Sequence, residues 1–327
     1  MMQIVSCALA LLAGVVGAGF ASGREVSRFF AGHGKAAPAA VLLASGSLLF
    51  FFLRLCEKME RLGAKDAVSL CRARFGKQLG TLCAGLFFLL SAVTAGAMLA
   101  ACAELCALVL PLRHAYGIGM GAALFLSLLL TPKKTRGLAA AGAALCALLP
   151  VLLMRLYCIH GGEACFYPAM APDLPVRALA DGVSYAALNA ALLLGTAPML
   201  LSLQKPMRTR AVLLFSLCFS LLLCLACAVC MKHRQIALSH PMPFLALSMQ
   251  LGAYLPFALC MYAAAFSTLL ALESGMRSML PLKTAPALFV VCAVCLFFAR
   301  MGFASLIQSA YPVLGAVCAG LLLLLCT

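Results

Sequence analysis

The chain has 327 residues, of which 65% are hydrophobic and only 10% charged, with a mean hydropathy of +1.10. That composition excludes an ordinary soluble domain and reads as an integral membrane protein. The formal charge of +15 would point to nucleic acid in a soluble chain, but the basic residues here lie in short segments between apolar runs, so the excess reads as topology.

Ten apolar runs approach membrane length: 3–23, 37–56, 79–110, 116–131, 137–156, 180–203, 211–231, 243–272, 285–300 and 303–326. The first carries Gly14, Gly17, Gly19 and Gly23 within ten residues. Each glycine costs a helix about 1 kcal/mol relative to alanine. In hydrocarbon, any backbone group released from a helix needs another partner. Close helix packing explains isolated small residues but not glycines on several faces of one helix, so the run predicts a broken helix that binds substrate or ion. No Lys or Arg precedes Arg24, so the basic leader of a signal peptide is missing and the segment reads as retained.

Connections are short except at 57–77, which is charged, and at 157–179, which carries three prolines and divides the chain. In the third run Ala92, Gly96, Ala100 and Glu104 recur every four residues, which puts Glu104 on a small, close-packed face. It reads as the one carboxylate well inside a span. Two roles stay open for it: a structural ion pair with Arg24 or Arg113, or proton coupling and attraction of a cationic solute group. The sixth run places Asp181, Tyr185 and Asn189 on one helix face, and Asn189 is the only asparagine in the chain. An amide within a span needs a partner, which makes it either interhelical glue or a wall of the substrate cavity. Gly195-Thr196-Ala197-Pro198 interrupts the same run.

Eighteen cysteines lie mostly inside apolar runs and read as small hydrophobes rather than a disulfide or metal framework. Only Cys158 and Cys165 fall in a polar loop where a bridge is open to them. Walker, zinc-protease and nucleophile-elbow motifs are absent, so neither an ATP-driven pump nor an enzyme is expected. Of the 24 Lys and Arg, fifteen fall in 54–77, 131–137, 204–210 and 273–284, which places both termini in the cytoplasm.

Five runs on each side of the long loop predict an inverted repeat: residues 1–156, an external loop 157–179, and residues 180–327. The first run of each half carries a break, as that architecture demands. Gly17-Ala18-Gly19-Phe20-Ala21-Ser22-Gly23-Arg24-Glu25 resembles the first-helix motif of the YkvI-type bacterial membrane proteins, and Gly302 to Ile307 with Tyr311-Pro312 resembles their last helix. The resemblance implies the leucine-transporter (LeuT) fold of the amino acid–polyamine–organocation superfamily: ten helices in a 5+5 inverted repeat, with helices one and six broken. It also implies a bacterial cytoplasmic membrane.

On that resemblance the N–H groups at Gly19 to Ser22 face an anionic carboxylate, and the carbonyls near Gly14 to Gly17 serve a cation. Ala264, Ser267 and Thr268 match the Ala-x-x-(Ser/Thr)-(Ser/Thr) pattern that supplies one carbonyl and two hydroxyls to sodium in this fold. The other reading of Ser267 and Thr268 is bonding back to their own helix. The expected substrate-facing residues are Gly17, Ala18, Gly19, Phe20, Ala21, Ser22, Tyr185, Asn189 and Glu104. The expected sodium ligands are Gly14, Gly17, Ala264, Ser267 and Thr268. The expectation is a secondary transporter coupled to sodium or protons, moving a small amino-acid-like or other organic solute by alternating access. The alternative is a receptor or assembly subunit that keeps the fold for sensing.

Overall fold

The computed structural model describes residues 1–130, 134–159, 174–252 and 254–327. Cys165, and with it any pairing to Cys158, lies outside them. The described residues are helical, with no strand among them. In chain order the helices are α1 (Met2–Val15), α2 (Ala18–Ala21), α3 (Arg24–Phe29), α4 (Ala37–Arg61), α5 (Ala67–Phe75), α6 (Lys77–Val109), α7 (Ala115–Leu130), α8 (Lys134–Tyr157) and α9 (Leu174–Leu193). There follow α10 (Ala197–Leu201), α11 (Lys205–Lys232), α12 (Arg234–Ser239), α13 (Pro243–Gln250), α14 (Tyr254–Met279), α15 (Thr284–Ala299), α16 (Phe303–Ser305) and α17 (Tyr311–Cys326). A π-helical stretch, Leu306–Ala310, joins the last two.

Among the described residues, six helical stretches are long and apolar enough to cross a membrane: Ala31–Arg61, Lys77–Val109, Gly137–Tyr157, Lys205–Lys232, Tyr254–Met279 and Phe303–Cys326. Met2–Val15, Ala115–Ser127 and Ala285–Ala299 are apolar but shorter. The ten runs of the sequence therefore do not become ten uniform helices. The first divides into α1 and α2, with α3 following it past Gly23, and the eighth divides at Gly252, whose φ of 63° ends α13 in the left-handed region. Segment 57–77 is not all loop either. Asp66 and Ser69 form a reciprocal capping box that starts α5, and α5 packs so tightly on α6 that a Cβ at Gly80 would lie 2.5 Å from Arg72 Cα.

α6 is the centre of the molecule, with 83% of its most apolar stretch buried by protein. It packs on α14, α15, α7 and α5, while α1 packs on α8 and α11, and α9 on α4 and α17. At one end of the bundle a buried Arg208 on α11 donates to Glu60 on α4.

Candidate functional site

The first apolar run breaks at Val16 and Gly17. Val16 has φ −76° and ψ 80°, and the Gly17 N–H turns back to Val15 O at 2.9 Å, a three-residue inverse γ-turn. Gly17 is then extended, with φ −90° and ψ −173°. This turn diverts two donors from the helical ladder. The Gly17 N–H no longer serves Ala13 O, and the Ala18 N–H goes to Met98 Sδ on α6 at 3.2 Å.

Side chains from α14 take over the freed carbonyl. Ser267 Oγ donates to Ala13 O at 2.9 Å, and Thr268 Oγ1 reaches the same oxygen at 3.2 Å. Ser267 Oγ also lies 3.0 Å from Ala264 O. Ser267 thus bonds back to α14 and also reaches across to α1, whereas Thr268 reaches across to α1. The carbonyl they reach is that of Ala13, one residue before the expected Gly14. Gly14 is inside α1 and has ordinary room around it. Gly17 has none, since a Cβ there would come 2.8 Å from Met98 Sδ and 3.2 Å from Thr268 Oγ1.

The second break follows α9. The chain turns at Leu194 to Thr196, with the Thr196 N–H donating to Leu193 O at 2.9 Å, and Pro198 lies in the first turn of α10. A Cβ on Gly195 would lie 3.0 Å from Gly275 Cα, so this turn sits directly against α14. Thr196 also borders Gly14, at 3.9 Å from a Cβ placed there.

Beyond the first break lies a polar group that sequence reasoning missed. Glu25 on α3 is 5% exposed, and Glu273 on α14 is 2% exposed. Glu104 is therefore not the one carboxylate inside the bundle. The expectation failed for Glu25 because the first span was taken to end at Gly23, whereas Gly23 only bends it. Its φ of 82° turns the chain into α3, and its face is closed by the Phe244 ring at 2.9 Å from a Cβ position. Val26, Phe29 and Phe30 beside Glu25 were the available signal that α3 is buried.

The Glu25 carboxylate folds back over α2, occupying the space where a Gly19 side chain would sit; a Cβ there would be 2.0 Å from Oε1. Across from it are Tyr185 on α9 and Tyr311 at the start of α17, and Thr94 on α6 faces Tyr311. The buried hydroxyls of Tyr185, Tyr311 and Thr94 approach these neighbours without a hydrogen bond of ordinary length and angle. Around Tyr185, Phe29 and Phe30 lie at ring-centroid distances of 5.2 Å and Phe219 at 6.4 Å, and Phe219 meets Phe20 at 5.5 Å.

The remaining expected residues are placed as follows. Ser22 is fully buried, its hydroxyl bonded to Gly19 O at 3.1 Å and accepting from Arg24 N at 3.3 Å. Asn189 Nδ2 donates to Tyr185 O at 2.9 Å, one turn back on α9. Asp181 leaves that group and accepts from His33 Nε2 at 2.9 Å, with Arg28 at 4.0 Å. Glu104 accepts the Phe303 N–H at 3.2 Å, capping α16, and pairs with neither Arg24 nor Arg113. Arg24 instead donates to Gln308 Oε1 at 2.8 Å and His240 O at 3.2 Å, and the Phe244 N–H donates to Ser22 O at 2.9 Å. These contacts close the α3 side of the site. Among the described residues, no group of three or more His, Cys, Asp or Glu is placed to hold a metal ion. No family model matches the chain, and no curated protein matches it.

Proposed function

We propose that the chain is a secondary transporter of the LeuT type, built as a 5+5 inverted repeat, that couples movement of a small amino-acid-like or other organic solute to a cation by alternating access. The observation that carries this reading is the break at Val16–Gly17, with its freed Ala13 carbonyl held by the Ser267 and Thr268 hydroxyls. An unwound backbone enclosed by protein, beside a second break at Leu194 to Thr196, is what a midplane binding site requires. The pairing of those two breaks, one in each half, supports the repeat.

The donor set suits a sodium ion. Ala13 O, Ala264 O, Ser267 Oγ and Thr268 Oγ1 are hard, formally neutral oxygens that fit a weakly held monovalent cation. When bound, such an ion would supply the coupling free energy. The chain's own contribution is to link α1 to α14 through these oxygens, so that occupancy favours the arrangement in which the two helices are held together.

Thermal unfolding of the detergent-purified protein tests this. Stabilisation by a ligand follows RT ln(1 + [L]/Kd), so sodium chloride should raise Tm more than choline chloride at equal ionic strength. Ser267→Ala with Thr268→Ala should erase that difference while leaving a folded protein. Sodium dependence unchanged in the double variant would move coupling to protons and to the buried carboxylates.

A further inference from the structure

We propose that Glu25 is the subsite for a protonated amine on the solute. The proposal rests on the transporter reading for the word solute, but its chemistry stands on the residues alone.

Charge is the first consideration. Glu25 is 5% exposed, and among the described residues no cationic side chain pairs with it. Arg24 and Arg28 share its helix, yet Arg24 is bonded to Gln308 and His240, and Arg28 lies 4.0 Å from Asp181. A carboxylate withdrawn from water is strongly disfavoured unless a positive charge joins it. The protein supplies none at this point.

What it supplies is hydroxyls. Tyr185 faces the carboxylate and Asn189, Tyr311 faces the carboxylate and Thr94, and none of the three buried hydroxyls makes a hydrogen bond of ordinary length and angle. Buried polar groups are nearly always well hydrogen-bonded, so three hydroxyls whose approaches to one another, to Asn189 and to the carboxylate stay out of good geometry mark a place where a ligand completes the network. The tyrosine hydroxyls can donate toward the carboxylate, and all three hydroxyls can accept from an N–H. A protonated amine has donors only, which is the complement of one carboxylate plus several hydroxyl lone pairs. A carboxylate on the solute would be repelled here, and a neutral group would leave the charge unmatched. Phe29, Phe30 and Phe219 pack on the Tyr185 ring, which fixes the direction of its hydroxyl.

An amino acid and a simple alkylamine share this chemistry, and the probes separate them. The measurement is thermal shift of the full-length protein with leucine, butylammonium, butyramide and sodium chloride. A shift with butylammonium or leucine, and none with the neutral butyramide, is the expected result; which amine acts identifies the source. Glu25→Gln, which keeps shape and removes charge, should weaken the active amine by about thirtyfold or more, as loss of a buried charge partner does.

Failure of both amines to shift Tm, an equal shift with butyramide, or amine affinity unchanged in Glu25→Gln would each overturn the proposal. So would loss of the sodium shift alone in that variant, since the carboxylate would then serve an inorganic cation. Should Glu25→Gln not fold, Tyr185→Phe and Tyr311→Phe keep the carboxylate and remove one hydroxyl each. They should weaken the amine several-fold, and unchanged affinity in both overturns the assignment. Uptake into proteoliposomes separates the two levels. Glu25-dependent amine binding without uptake sinks the transporter reading and leaves the subsite standing. Cationic uptake that ignores Glu25→Gln does the reverse.

Discussion

The glycines of the first run are not equivalent. Gly23 has a φ of 82° and the Phe244 ring 2.9 Å from its Cβ position, so Gly23→Ala meets both backbone strain and a clash. We expect it to cost about 1–3 kcal/mol and lower Tm by several degrees. Gly14 is helical, with its nearest atoms at 3.7 and 3.9 Å, so Gly14→Ala should leave Tm unchanged or raise it, by up to about 1 kcal/mol. If the two variants behave alike in the same melting experiment, the left-handed bend is not at Gly23. The sequence identified this cluster as a unit because four glycines in one apolar run conflict with helix propensity. It did not say which one bends, which one is extended and which merely packs. Those roles depend on Met98, Thr268, Glu25 and Phe244, which are distant in sequence or, for Glu25, were assigned to a loop.

At the level of elements, the tie between α11 and α4 is open to a direct test. The Arg208 side chain is 6% exposed and that of Glu60 48%, so only one end of the pair is truly desolvated. Glu60→Ala strands a buried guanidinium and should cost about 1–2 kcal/mol, less than a fully buried pair would. Adding Arg208→Met should recover much of the lost Tm, since the penalty lies in the unpaired charge rather than in the missing bond. Element existence was largely legible: runs two, three, seven and nine match α4, α6, α11 and α15 within several residues. Hydropathy marks where apolar residues are, and these helices are apolar throughout. It failed where a short polar helix interrupts, as at α5 and α12, and where a single positive-φ glycine, Gly252, splits one apolar run into α13 and α14.

Across the whole molecule, the described residues bury few charged side chains, Glu25, Arg208 and Glu273, and carry most of their charge on the rim. His233 sits on that rim at the end of α11, 7% exposed, with a ring nitrogen 3.2 Å from Leu156 O. Burial holds its pKa below the usual 6.5, reinforced by the nearby Lys232 and only partly offset by the Leu156 carbonyl. The folded chain therefore binds this proton less readily than the unfolded chain does. Its contribution to stability is complete above about pH 6.5 and is lost as pH falls through the depressed value. Melting at pH 5 and pH 7.5 should show a smaller acid destabilisation in His233→Gln than in the parent chain. An equal drop in both would exclude the histidine as a source. The candidate site was half legible at this scale. The two breaks were read from local pattern, and Ser267 and Thr268 were singled out by the family resemblance, whereas Tyr185 was expected without its partners: the carboxylate–hydroxyl group joins it to Glu25, Thr94 and Tyr311 on three other helices that only the tertiary fold brings together.

The unbroken course of α6 has a mechanical meaning. With 33 residues it runs about 50 Å, well beyond the roughly 30 Å of a hydrocarbon core, so it must lean or protrude. Along that rod Thr94, Met98 and Glu104 stand at graduations about 6 and 9 Å apart, touching in turn the hydroxyl group, the kinked first helix and the head of α16. Three separate places are thus read off one ruler. A rotation of α6 by a fraction of a turn would register at all three at once, and a thicker or thinner bilayer, by changing the lean of the rod, would shift them in step.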